Sequence, residues 1–194
     1  EVSGTYRRAM IAAKEFDTDR IQIVDTRTIA GGLGSIVLQA QKWSNEGIGM
    51  EELVSKVQSM LKREYAFFIV PTLDYLLKGG RIGGAAKLVG TLLKIVPILT
   101  VDDGKVATFE KVRTLRQAKK RFINLIVEAC KNNPDPHLSI SHCDNIKGAR
   151  ELKSAVEKQL RIKDIPIYLV PPAIVVHAGP DLLSMSCFLT QEKH

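Results

Sequence analysis

Apolar runs of strand length alternate along this chain with amphipathic segments of helix length, and that alternation restricts the fold more than any other feature. Side chains recurring every two positions call for a sheet, and side chains recurring at three and four call for one helix face. The first cycle reads as a helix near 4–15, the strand IQIVDT at 21–26, and a helix near 29–44 stopped by Gly47. A helix near 50–63 follows, with Leu53, Val57, Met60 and Leu61 on one face. Its first turn carries Glu51 and Glu52, which complement the positive end of the helix. The strand YAFFIV at 65–70 comes next, then a short helix in TLDYLLKGG that Gly79 is expected to end in the left-handed conformation.

Beyond that point the character of the sequence changes. IGGAAKLVGTLLKI, 82–95, reads as a helix of small residues. Residues 96–113 read as a hairpin, because Asp103-Gly104 supplies the positive φ that a tight turn requires. A long helix at 115–131 ends in NNPDP, followed by strand LSISHC at 138–143, a helix at 146–161 and strand PIYLV at 166–170. AIVVHAGPD reads as an apolar strand that His177 ends before a Gly-Pro turn, and SMSCFLT at 184–190 as the last strand. The fold class expected is α/β in two domains divided near Lys78–Gly84. Residues 1–78 would form the C-terminal part of a parallel-sheet domain, and residues 79–194 a second domain with a mixed sheet.

Composition narrows the function classes. With 194 residues and 45% hydrophobic content, the chain can bury one good core or two small ones. The longest apolar stretches are too short to span a bilayer. Cys130, Cys143 and Cys187 form no CxxC pair and leave an odd thiol in any disulfide scheme, so a reducing cytoplasm is expected. The net charge of +7 is spread over most helices among acidic neighbours, and only 6% of residues are aromatic. That pattern is a set of solvated helix faces rather than a stacking platform, and no nucleic-acid partner is expected.

Four short stretches could carry chemistry. Ser3-Gly4-Thr5 brings hydroxyls and free backbone N–H groups to a helix start, where a carboxylate or phosphate could bind; ordinary capping by Ser3 is the plainer reading. VDTRTIAGGLGS, 24–35, has glycines between a strand and a helix but lacks the order of a dinucleotide or phosphate loop, so close helix packing explains it better. KGGRIGG, 78–84, sets Arg81 among glycines, as a hinge, a clasp or an exposed linker. His177 in VVHAGPD could donate to an anion or exchange a proton near neutral pH, or simply be hydrogen-bonded in place. His137 and His142 have no metal-like spacing with it, and no cofactor is expected. Ser3 and His177 also admit a small-molecule hydrolase or phosphotransferase, with Asp25, Asp74 and Asp102 as acids, although no GxSxG elbow is present.

Taken in order, SGTY (3–6), VDTRTIAGGLG (24–34), TLDYLLKGGRIG (72–83), LVGTLLKIVPIL with the DG that follows (88–104), KVRT (111–114) and HAGP (177–180) resemble the DegV family of bacterial proteins. Its members are also known as fatty-acid-binding subunits of fatty acid kinase. The resemblance implies a protein of two domains that buries one long-chain fatty acid between them and presents its carboxylate to the kinase catalytic subunit, which makes an acyl phosphate. It implies a carrier rather than an enzyme, with room for transient membrane contact. By the same resemblance Ser3, with Gly4 and Thr5, holds the carboxylate, His177 joins that network, Arg81 is a structural arginine near the site, and Arg113 of KVRT is a basic position near the mouth. The family has a further carboxylate-binding hydroxyl residue and the first parallel strands upstream of SGTY, so residue 1 is expected to be an internal position. Asp181 stands where the family commonly has glycine.

Overall fold

The computed structural model describes residues 3–16, 20–90 and 95–191. Helices α1 (Thr5–Ala13), α2 (Ala30–Asn45) and α3 (Met50–Leu61) lead into strand β1 (Glu64–Ile69) and a short helix α4 (Asp74–Lys78). A 3-10 helix (Gly83–Leu88) precedes the hairpin of β2 (Val96–Asp102) and β3 (Lys105–Val112). Then come α5 (Leu115–Cys130), β4 (Ser139–His142), α6 (Ile146–Leu160), β5 (Ile167–Leu169), α7 (Pro172–Ala178) and β6 (Leu183–Phe188).

The strands form one six-stranded mixed sheet in the order β3-β2-β1-β6-β4-β5. Only β4 and β5 run parallel; every other neighbouring pair is antiparallel. Helices α5 and α6 cover one face, where Phe122, Ile126, Leu152 and Val156 meet Phe67, Ile98, Ile140 and Met185 in the largest core. Because strand side chains alternate, Ser139 and Ser141 on either side of Ile140 point to the opposite face, as do Ser184 and Ser186 around Met185. There the first turn of α2 lies so close that a Cβ on Gly31 would meet the hydroxyls of Ser139 and Ser141. Close packing is thus the work of the glycines after residue 29.

Several expectations are corrected. Strand β1 precedes Lys78, yet it sits in the middle of the mixed sheet between β2 and β6. Both of its faces carry apolar side chains, Phe67 and Ile69 on one and Ala66 and Phe68 on the other, and a strand apolar on both faces belongs at the centre. Residues 21–26 form no strand; Val24 finds cover beside Ile36, Met60 and Phe188 instead of a ladder partner. The run at 173–178 is helix α7, not a strand, since Pro172 at its start fixes φ near the helical value. The helix expected at 82–95 is a six-residue 3-10 helix, after which Val89 is extended and Gly90 has φ +86°; residues 91–94 lie outside the described residues. At the end of α4 the left-handed residue is Gly80 (φ +67°), whereas Gly79 stays helical. The N–H of Arg81 reaches the carbonyl of Leu76 at 2.8 Å and that of Gly80 reaches Leu77 at 3.0 Å, the paired bonds of a Schellman stop.

A cavity against the serine face of the sheet

The second face of the sheet is only partly covered, and a cavity of about 480 Å³ opens there. Helix α2 and its lead-in (Thr28–Leu33) form one wall, β1 and β6 form the floor, and α4 and α7 close an end. Most of the lining is apolar: Phe68, Leu76, Val101, Val106, Ile174 and Leu182 among others. A volume of this size lies within the range of sites for small organic ligands.

Of the residues singled out from the sequence, Ser3, Gly4, Thr5, Arg81 and His177 all line this one cavity, and Arg113 does not. Ser3 is exposed one residue before the cap of α1, which is Gly4 rather than Ser3. Its Oγ lies 2.8 Å from Thr5 Oγ1 and accepts the Thr5 backbone N–H at 3.1 Å. A Cβ on Gly4 would meet nothing within 4 Å, so the backbone there is open to approach. The half-buried Arg81 donates from Nη1 to the carbonyl of Gly79 at 2.7 Å. Arg113 is exposed beyond the far end of β3 from Val106, and its N–H is taken by Gln117 Oε1 at 3.1 Å as part of the cap of α5. The pairing of β3 on β2 and of β2 on β1 sets Arg113 toward the end of the sheet where β1 finishes, two strands across from β1 and outside the cavity lining.

His177 sits in the last turn of α7, half-buried, with its ring against Gly79. Its Nδ1 is buried without a hydrogen-bond partner among the described residues. Buried polar atoms are nearly always paired, but this nitrogen faces Gly79 rather than open space, so it is the rest of the His177 side chain that meets the cavity. Asp25 pairs with Arg27, and none of Asp25, Asp74 or Asp102 engages Nδ1. The orienting acid of a Ser-His hydrolase is therefore missing among the described residues.

Sequence reasoning missed other parts of the cavity. Arg8 follows Thr5 on α1 and lines it too. Glu64, only 9% exposed, opens β1 and accepts the hydroxyl of Thr28. Period-two alternation from the neighbouring aromatic residues puts Glu64, Ala66 and Phe68 on the cavity face, which is the signal that could have found it. Among the described residues, no group of three or more His, Cys, Asp and Glu side chains could hold a metal, and no helix is long and apolar enough to cross a membrane.

A family model for the DegV family, described as uncharacterised, matches residues 1–190. The chain belongs to the DegV family. A DegV domain-containing protein of Clostridium acetobutylicum is 32% identical over 192 residues, covering 97% of this chain and 67% of its own length. One from Caldanaerobacter subterraneus is 33% identical, covering 92% of this chain and 64% of its own. The chain thus spans about two thirds of the length of these relatives. The fold matches a fatty acid binding DegV protein of Streptococcus agalactiae with a TM-score of 0.87 and 27% identity, over 98% of this chain and 67% of that one. A fatty acid binding DegV protein of Thermus thermophilus gives 0.90 with 26% identity over 97% and 67%. A DegV lipid binding protein of Thermotoga maritima gives 0.81 with 30% identity over 99% and 67%.

Proposed function

We propose that this DegV chain binds one long-chain fatty acid in the cavity and presents its carboxylate to a partner kinase for acyl phosphate formation, acting as a carrier without chemistry of its own. The observation that carries the reading is that Ser3, Gly4, Thr5 and His177 line one largely apolar cavity. Removing about fifteen methylenes from water contributes on the order of 12 kcal/mol gross, so the tail supplies affinity. The hydroxyls of Ser3 and Thr5, the open backbone at Gly4 and the imidazole of His177 then fix which end faces out. A carboxylate in such a place needs hydrogen bonds more than it needs a buried cation. Fatty acid binding by DegV relatives of the same fold supports the same choice.

In this reading the ligand lies against the serine face of the sheet, Arg81 stiffens the KGGRIGG turn beside it, and Arg113 serves the kinase contact rather than the ligand. The kinase holds the nucleotide; a carboxylate oxygen attacks its terminal phosphorus and the nucleoside diphosphate leaves. Three buried cysteines outside any disulfide suit the reducing cytoplasm in which such a partner would be met.

Native mass spectrometry of the purified chain, followed by organic extraction, tests the proposal. A co-purified C14 to C18 acid is the expected result, and Ser3→Ala should weaken its retention about tenfold, the loss of one hydrogen bond to a charged group, without lowering the melting temperature. Turnover of a small substrate by the chain alone, abolished by Ser3→Ala, would replace this reading with a hydrolase.

A further inference from the structure

Glu64 is the one acidic side chain among the described residues that line the cavity. It accepts the Thr28 hydroxyl and lies against Gly32, where a Cβ would overlap Oε1. Helix α2 has no acidic side chain in its own first turn, so Glu64, reaching up from β1, places the negative charge that complements its positive end. The position at which a ligand carboxylate would find helix N–H groups is therefore already filled by the protein's own acid. Next to it, Ala66 pairs across the sheet with Ser186, whose hydroxyl lies 2.8 Å from that of Ser139.

His177 is at the other end. Val70, which follows β1, packs with Ala178 and Leu182, so α7 sits beyond the C-terminal end of the strand that Glu64 begins. Six residues at strand rise put about 20 Å between Glu64 and Val70, comparable with an extended C16 chain. One end of the cavity thus offers an imidazole, and the other the side chain of Glu64.

We propose that Glu64 sets the direction in which the acyl ligand lies and restricts the ligand to one carboxylate: the head group is repelled from the Glu64 end and settles at the His177 end, leaving an uncharged terminus next to Glu64. This rests on the fatty-acid reading above and adds a specificity-determining residue to it. Like charges on a partly buried protein surface repel more strongly than in bulk solvent.

Displacement of a fluorescent fatty acid from the 194-residue chain by hexadecanoic acid and by hexadecanedioic acid tests it. The diacid should bind at least about tenfold more weakly than the monoacid, and Glu64→Gln should close that gap to within about threefold by strengthening the diacid alone, as removal of a like charge requires. Glu64→Met, of similar length, gives the same readout if the amide variant does not fold. An unchanged ratio in a folded variant overturns the role of Glu64 while leaving fatty acid binding intact. Failure of the monoacid itself to bind overturns both.

Discussion

The imidazole of His177 lies in the space that a side chain on Gly79 would need: a Cβ built there would overlap Nδ1 and sit 3.0 Å from the carbonyl of Tyr75. One glycine of the KGGRIGG stretch therefore holds room for the histidine, and the next one turns the chain.

Gly79→Ala should destabilise the protein by roughly 1–3 kcal/mol and weaken fatty acid binding, because the imidazole must shift. In a His177→Ala background most of that cost should vanish, leaving the alanine near neutral at a φ of −78°. Thermal melts of the four proteins in this cycle measure the coupling; additive effects would show that the ring does not occupy that space.

Arg113→Ala should leave fatty acid affinity within about twofold of the parent, since an exposed side chain outside the cavity lining is screened by solvent. The same variant should slow acyl phosphate formation with the kinase if Arg113 contacts that partner. Titration with a fluorescent fatty acid and a coupled kinase assay separate the two effects.

Two glycines of α2 should respond in opposite ways. Gly32→Ala pushes into Glu64 and Thr28 and should cost roughly 1–3 kcal/mol. Gly34→Ala meets nothing within 4 Å and should stabilise by about 0.5–1 kcal/mol through helix propensity alone. Chemical denaturation of both variants checks the pair.

Helices α5 and α6 are tied by Lys119 Nζ donating to Glu151 Oε2 at 3.0 Å. The hydrogen bond and charge of Lys119 hold the Glu151 carboxyl below its ordinary value of 4.5. A carboxyl depressed in the folded state stabilises above its unfolded value and loses that contribution as pH falls through the folded one. Melting temperatures of the parent and Glu151→Gln should therefore differ at pH 7 and converge as pH falls below 4.5 through the folded-state value.

Local chemistry made some elements legible. The Asp103-Gly104 hairpin could be read because both residues take positive φ, +45° and +69°, and few other pairs do so readily. Helix α5 could be read because Thr114 accepts the N–H of Gln117 at 3.1 Å and Gln117 reaches back to Arg113. Helix α7 could not: a short apolar run has no period long enough to separate helix from strand. The place of β1 was hidden for another reason, since pairing depends on which distant strands its two apolar faces attract. At the site, Ser3, Arg81 and His177 stand out as residue types near glycines, but Glu64 gains its meaning only from Gly32 and Thr28 folding over it. Arg113 resembled a site residue by motif, but it is exposed and takes no part in lining the cavity.

The floor of the cavity is a seam between β1 and β6, with Glu64 opposite Phe188 and Ile69 opposite Leu183. A nascent chain has made the first of these strands long before the second leaves the ribosome, so the seam cannot close on a partial product. A lipid held as proposed would therefore be loaded only after synthesis has passed Phe188, and a polypeptide halted before that point would expose the oily side of β1 to chaperones instead.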